Sequence, residues 1–161
     1  MARGGTPAIV ALDAAAVPFR LHEFAVDPGE RHYGQAAAIA LGVELERVFK
    51  TLIATVDDNV HVVAIVPVSG QLSLKELAAA VRGKRAEMCL PETAQRLTGY
   101  VVGGISPFGQ KRPLTTVIDE TCVLFDSIFV SGGRRGLDIE IAPADLVTVL
   151  RATTAPIGTD N

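Results

Sequence analysis

Two long apolar segments separated by a short turn constrain the fold of this chain most strongly. Residues 47–56 and 60–66 are rich in valine, isoleucine and alanine, and Asp57-Asp58-Asn59 lies between them. Because so short a turn joins antiparallel strands, the pattern predicts a β-hairpin. Turn residues also bound shorter apolar segments, and further strands are predicted over residues 19–26, 86–89, 100–105, 115–118, 127–130 and 137–141.

Helix-capping residues predict helices between these strands. Thr6 and Pro7 are typical of a helix N-terminus, and Ser73 with Glu76 matches a capping box. The predicted helices cover residues 6–17, 35–41, 73–81, 91–99 and 143–150, and the residues from about 153 onward are expected to be frayed. Since helices interleave with strands that short turns connect, we predict an α+β fold. Its mixed, mostly antiparallel sheet is expected to curl towards a barrel and to be flanked by helices.

The chain is predicted to form one domain, 1–161, with a core over about residues 6–151. It has no repeat or long linker, and its 48% hydrophobic and 20% charged residues are typical of a globular chain. No apolar run approaches the roughly 20 residues of a membrane helix. The N-terminal Met1-Ala-Arg-Gly-Gly lacks the apolar core of a signal peptide. We therefore expect a cytoplasmic protein without a membrane contact.

The residue types that bind metals are few and scattered. Cys89 and Cys122 lie far apart, and the three histidines, His22, His32 and His61, follow no ligand spacing. We therefore expect two free thiols, and neither a metal nor a cofactor.

Positive charge is concentrated locally, although the net charge of the chain is only −3. The cations of this basic segment are Arg82, Lys84, Arg85, Arg96, Lys111 and Arg112, and Arg134 and Arg135 follow it. Such a segment either binds phosphates or is an ordinary solvated surface. The sequence leaves both interpretations open.

Lys50 is the candidate catalytic residue because it lies within an apolar strand. Two-residue periodicity places it on one face with Val48, Leu52, Ala54 and Val56. A lysine on such a face either extends to water at the strand end or stands in a cavity. In a cavity its ammonium group can bind a carbonyl or phosphate oxygen. The residues alone do not decide between the two.

Two glycine-rich segments, residues 102–109 and 130–138, are candidate ligand-binding loops. Paired glycines permit positive φ and let a ligand approach bare backbone, whose N–H groups can bind an oxyanion. A tight structural turn explains the same composition. The candidate binding residues of the two segments are Gly103, Ser106, Ser131, Gly132 and Asp138.

Five segments of the chain form a pattern in their order and spacing: Phe49-Lys50-Thr51-Leu52, 67–72, 98–102, Gly103-Gly104-Ile105-Ser106-Pro107 and 130–140. Taken together, these segments resemble the YbaK-type family of bacterial tRNA deacylases. The resemblance runs from about Thr6 to Leu150, and the order and spacing of the segments are more specific than any single segment. Relatives of this family include the editing domain inserted into bacterial prolyl-tRNA synthetases.

The resemblance implies an enzyme that releases cysteine from mischarged Cys-tRNA(Pro) and from Cys-tRNA(Cys). It implies a catalytic role for Lys50 and pocket roles for Gly103, Ser131 and Asp138, with Thr51 beside the lysine. It also implies a reaction without a metal or a protein nucleophile, in which the thiol of the substrate attacks its own ester carbonyl. The implied partners are the acceptor end of aminoacyl-tRNA and, as a candidate, prolyl-tRNA synthetase.

One position departs from the family pattern. Close members carry tyrosine where this chain has Phe24, so a hydroxyl that can bind the tRNA end or the amino acid is missing. Phe24 can still stack on the terminal adenine. Two alternatives stay open: hydrolysis of another ester, such as alanyl-tRNA(Pro), and a non-catalytic module that binds tRNA or a synthetase.

Overall fold

The computed structural model describes residues 5–160. Residues 1–4 and 161, which belong to the predicted domain, lie outside the described residues. The helices are α1 (Pro7–Ala15), α2 (Tyr33–Leu41), α3 (Leu74–Ala80), α4 (Pro91–Thr98) and α5 (Pro143–Leu150). The strands are β1 (Arg20–Glu23), β2 (Phe49–Val56), β3 (Val60–Pro67), β4 (Gly70–Leu72), β5 (Ala86–Met88), β6 (Thr115–Asp119), β7 (Ile128–Arg134), β8 (Leu137–Ile141), β9 (Thr153–Ala155) and β10 (Gly158–Asp160).

The predicted hairpin is confirmed and lies at the centre of a five-stranded sheet. β2 and β3 pair antiparallel from Phe49 opposite Pro67 to Val56 opposite Val60. The strand order is β5-β2-β3-β6-β9, and β6 runs parallel to both β3 and β9. The predicted mixed α+β architecture is therefore correct.

The strands form three separate sheets, and none of these sheets closes on itself within residues 5–160. Besides the five-stranded sheet there is an antiparallel sheet of order β1-β8-β7 and a two-stranded sheet of β4 and β10. The two larger sheets meet through one isolated bridge, between Val48 and Phe129. The predicted single sheet, curled towards a barrel, is thus not supported. The physical reason is that a barrel needs continuous pairing around its circumference.

Both faces of the hairpin are buried, which explains its continuous apolar sequence. Phe49 and Ile53 of β2 belong to the main core, which also contains Leu12 of α1 and Leu146 of α5. Side chains on the opposite face, Val56 among them, pack in a second core with α3. A smaller apolar cluster joins α2 to the start of β2 through Ala38 and Val48.

Two local predictions are wrong. Residues 100–105 form a loop and not a strand, because the buried Tyr100 hydroxyl donates to the Phe108 carbonyl at 2.6 Å and Gly103 has a φ of +92°. The C-terminal residues are paired and not frayed: β9 adds to β6, β10 adds to β4, and the Ile157 side chain between them is fully buried. No helix in the described part of the chain has the length and apolarity that a membrane span requires.

Candidate active site

A cavity of about 710 Å³ lies where β2, the start of α2, β4 and the two glycine-rich segments meet. Among its lining residues are five of those proposed from the sequence: Lys50, Thr51, Gly103, Ser131 and Asp138. Residues separated by up to 88 positions in the chain thus share one cavity, which makes it the candidate active site.

Lys50 reaches this cavity from the second position of β2. It is half-buried, and its ammonium group donates a hydrogen bond to the Gly70 carbonyl at 3.1 Å. Burial lowers the pKa of Lys50 below its usual value. One of three N–H groups is used in this way, so the others are free to bind an oxygen atom of a ligand. Of the two sequence interpretations, the structure supports the lysine in a cavity.

Asp138 and Ser131 face each other across the β7–β8 pair. The Asp138 side chain is buried, with 3% of the residue exposed, and burial raises the pKa of its carboxyl group to about 7. The Ser131 hydroxyl accepts a hydrogen bond from the Gly133 N–H at 3.1 Å. Asp138 also lines the cavity, together with Tyr33 at the start of α2.

Gly103 allows the first glycine-rich segment to approach the β7–β8 turn closely. Its φ is +92°, and a Cβ atom at this position would lie 2.9 Å from Nη1 of Arg135. The Arg135 guanidinium also stacks over the Tyr33 ring, 4.3 Å from its centroid, and donates to the Glu30 carbonyl at 3.2 Å. Arg135 therefore joins three segments that form one rim of the cavity.

Thr51 lies beside Lys50 in the chain, but its polar group has no hydrogen-bond partner within the described residues. The residue lines the cavity, yet its oxygen Oγ1 is buried and finds no hydrogen-bond partner among residues 5–160. A buried polar atom without a partner is destabilising by about 1–3 kcal/mol.

Replacing Thr51 by valine should therefore stabilise the protein. We expect the free energy of unfolding to rise by about 1 kcal/mol, because the unpaired hydroxyl is exchanged for a methyl group of similar size. Denaturant unfolding measures this change. The matched control is Thr116→Val, which removes a buried hydroxyl that donates to the Leu114 carbonyl at 3.0 Å and should be destabilising. Equal destabilisation by both variants would contradict the assignment of an unpaired Thr51.

Three residues proposed from the sequence do not line the cavity. Phe24 stacks behind Tyr33, with ring centroids 6.3 Å apart. Ser106 is fully buried and its hydroxyl accepts from the Phe108 N–H, so it stabilises its own loop. Gly132 is covered by the Leu137 side chain and accepts a hydrogen bond from the Thr6 hydroxyl.

The start of α2 contributes lining residues that sequence reasoning missed. Tyr33 lines the cavity, and its hydroxyl accepts a hydrogen bond from the Gly136 N–H at 2.7 Å. Gln35 lines it too and donates to the Val68 carbonyl at 3.3 Å. The helix was predicted to begin at Gln35, two residues too late to include Tyr33. The sequence feature that could have indicated this part of the site is Tyr33, an aromatic residue followed by Gly34.

The basic segment does not form one wall of the cavity. Arg85 pairs with Asp58 at 3.8 Å at the exposed hairpin turn, where the Asp57 carboxylate accepts from the Lys84 N–H. Arg134 is paired with Glu23 at 2.8 Å. The cavity is instead bordered by the cations Arg31 and Lys50, with Arg135 directly behind Gly103.

Neither thiol resembles a nucleophile, and no group of three potential metal-binding side chains occurs in residues 5–160. Cys122 is fully buried, and burial, followed by the charge of Asp119, raises the pKa of its thiol to about 11. Cys89 is half-buried and packs against the main core.

Comparison with known proteins shows which family has this fold. The family model of the aminoacyl-tRNA editing domain matches residues 27–149, so the chain belongs to the aminoacyl-tRNA editing domain family. The matched region contains Lys50, Gly103, Ser131 and Asp138. The assignment to a family of aminoacyl-tRNA deacylases, made from the sequence, is thereby confirmed.

Named relatives make the family relationship more specific. The chain is 37% identical over 144 residues to EbsC of Enterococcus faecalis, a proposed Cys-tRNA(Pro)/Cys-tRNA(Cys) deacylase, covering 89% of this chain and 87% of that protein. It is 30% identical over 119 residues to ProXp-y of Escherichia coli, a multifunctional Ser/Thr-tRNA deacylase, covering 71% of each. The fold matches the crystal structure of a proposed trans-editing enzyme for prolyl-tRNA synthetase, with a TM-score of 0.83, 23% identity and 95% of both chains covered.

Proposed function

We propose that this protein is a cytoplasmic trans-editing deacylase, a single domain that releases cysteine from Cys-tRNA(Pro) and from Cys-tRNA(Cys). The observation that carries the proposal is the half-buried Lys50 in the 710 Å³ cavity, which Gly103 also lines. The similarity to EbsC supports the choice of substrate. The acceptor end of the tRNA is the proposed partner, and prolyl-tRNA synthetase is the candidate protein partner.

The chemistry needs few protein groups because an aminoacyl ester is already activated. The cysteine thiol of the substrate loses its proton and forms a bond from sulfur to the ester carbonyl carbon. The bond from that carbon to the ribose oxygen breaks, and the ribose oxygen takes up a proton. The products are a cyclic thioester of cysteine and free tRNA.

Lys50 supports this reaction by binding the ester carbonyl oxygen as negative charge develops on it. A preorganised donor of this kind is typically worth about 10²–10³ in rate. The cavity holds the thiol near the carbonyl, so proximity lowers the barrier by several kcal/mol. Ser131 and Asp138 are proposed to bind the amino acid, and Thr51 and Gly103 to form the walls that orient it.

Size alone does not give the selectivity. A single methylene or comparable small group changes binding by only about 1–3 kcal/mol. The proposed reaction avoids this limit because serine and alanine esters lack the thiol. The similarity to ProXp-y favours a second candidate, in which water attacks seryl or threonyl esters in the same cavity.

A panel of charged tRNAs separates the two candidates. We expect cysteine to be released much faster than alanine, which has the same carbon skeleton without the sulfur. Deacylation rates for cysteinyl-, alanyl-, seryl- and threonyl-tRNA, with the first product identified by mass, measure this difference. Equal rates for cysteine and alanine would contradict the thiol mechanism, whereas preferred release of serine and threonine would favour attack by water.

The cysteines of the protein should not be needed. We expect a Cys89→Ser/Cys122→Ala variant to retain activity within about threefold, because a thiol with a pKa of about 11 is not ionised at neutral pH and Cys89 does not line the cavity. Alanine at position 122 avoids a new buried hydroxyl. Loss of turnover in this variant, with a normal melting temperature, would indicate a protein thiolate as the nucleophile.

A further inference from the structure

Arg135 differs from its neighbour Arg134 because no carboxylate of the described residues pairs with it. Arg134 beside it is paired with Glu23 at 2.8 Å, and Arg47 lies 3.6 Å from Glu140. Arg135 instead donates to a backbone carbonyl, that of Glu30, at 3.2 Å. The carboxylate of Glu30 is itself used, since it accepts from the His32 N–H at 2.9 Å.

The guanidinium of Arg135 is nevertheless held in place. Its Cζ atom lies over the Tyr33 ring, 4.3 Å from the ring centroid, and the absence of a Cβ atom at Gly103 makes room for Nη1. The Tyr33 hydroxyl in turn accepts from the Gly136 N–H, which ties the turn to α2. The result is an ordered cation that keeps its charge and most of its five N–H donors available.

Arg135 lies at a position that a phosphate of a bound tRNA end can reach. Gly103 and Tyr33 line the cavity, so Arg135 stands directly behind one rim. In the proposed reaction, Lys50 binds the ester carbonyl oxygen inside the cavity. An ester bound there belongs to the terminal nucleoside of the tRNA, and the first charge outside the cavity is the phosphodiester that precedes this nucleoside.

We propose that Arg135 binds the phosphodiester preceding the terminal nucleoside of the aminoacyl-tRNA, so that the distance from the rim to Lys50 sets how far the ester enters the cavity. This inference rests on the proposed deacylase function. It assigns to the phosphate contact one arginine of the β7–β8 turn, and leaves its neighbour Arg134 outside the contact.

Two substrates test the inference, one with the phosphodiester and one without it. They are the cysteinyl ester of the trinucleotide CpCpA and the cysteinyl ester of adenosine. Arg135→Gln should lower kcat/KM for the trinucleotide ester about tenfold, mainly through KM, because a charge-assisted contact is lost. For the adenosine ester the same variant should change kcat/KM about twofold or less. The salt slope of trinucleotide binding should fall by about 0.7, the value for one single-stranded phosphate contact.

Arg134→Gln is the matched control, since this exposed arginine is already paired. It should change kcat/KM about twofold or less for both substrates. Arg135→Lys keeps the charge and should retain part of the trinucleotide preference. If both Arg135→Gln and Arg135→Lys lowered kcat/KM equally for the trinucleotide and the adenosine esters, Arg135 would only order the rim of the cavity. If neither variant lowered kcat/KM for either ester, Arg135 would make no contact with the substrate. Each of these results would overturn the inference.

Failure of this inference is distinguishable from failure of the proposed function. Direct binding of uncharged CpCpA, measured for wild type, Arg135→Gln and Arg134→Gln, does not depend on turnover. Weaker CpCpA binding by Arg135→Gln, but not by Arg134→Gln, would support the phosphate contact. If the same binding result were found and the wild-type protein hydrolysed no ester, only the deacylase function would be contradicted. Normal turnover with unchanged CpCpA binding in all three proteins would overturn the phosphate contact only.

Discussion

Replacing Lys50 by alanine should reduce kcat/KM for deacylation by at least about 100-fold, the effect of losing one preorganised donor to a developing oxyanion. The Lys50 ammonium group lines the cavity, and its bond to the Gly70 carbonyl orients it. Single-turnover kinetics with saturating enzyme separate this loss of chemistry from weaker binding. The effect should appear in kcat.

Two further variants make the result interpretable. Lys50→Met keeps the aliphatic stem and should be as inactive as the alanine variant while preserving the packing around β2. Lys75→Ala removes an exposed lysine of α3 and should leave the rate unchanged. Near-normal release by a folded Lys50→Ala or Lys50→Met protein would remove Lys50 from the reaction.

Asp138→Asn should stabilise the protein at pH 8 and not at pH 4. The folded-state pKa of about 7 lies above the ordinary value of 3.8, so the folded protein binds this proton more tightly than the unfolded chain. The associated stability is fully present below the unfolded pKa and is lost as the pH rises through about 7. Asparagine carries no charge, so the variant should be more stable than wild type at pH 8 by about 4 kcal/mol, at about 1.4 kcal/mol for each pKa unit.

The same titration should appear in the activity. Two titratable groups face Asp138 from α2 and β1: the Tyr33 hydroxyl interacts with it electrostatically, and His22 lies opposite it in the sheet with its ring bonded to Glu140. Wild-type kcat/KM is expected to change around pH 7, and this step should vanish in Asp138→Asn. Asp126→Asn, at an exposed position, is the control and should alter neither profile. A step retained in Asp138→Asn would assign the titration to another group.

The fold was predictable where the signal is local. The hairpin of β2 and β3 follows from apolar segments around a turn, and the helix starts at Pro7 and Ser73 follow from capping residues. β9 and β10 carry no such signal, because three-residue strands are held by pairing with β6 and β4 and not by their own composition. The apolar run after Tyr100 imitates a strand, yet Val101 is 61% exposed.

The candidate site was predictable in the same uneven way. A lysine in an apolar strand is visible in the sequence, and so is Asp138 once its segment is compared with a family. The contacts among Gly103, Arg135 and Tyr33 are not visible, because they join segments that are far apart in the chain. Ser106 and Gly132 were proposed from their neighbours in sequence, and the structure places both in loop packing.

Multiple-turnover deacylation of Cys-tRNA(Pro) with substoichiometric enzyme tests the account most directly. We predict that each equivalent of wild-type protein deacylates many equivalents of Cys-tRNA(Pro), and that Lys50→Met leaves the ester intact over the same time. Binding of Cys-tRNA(Pro) without release of cysteine by the wild-type protein would contradict the account and would identify the chain as a non-catalytic tRNA-binding module.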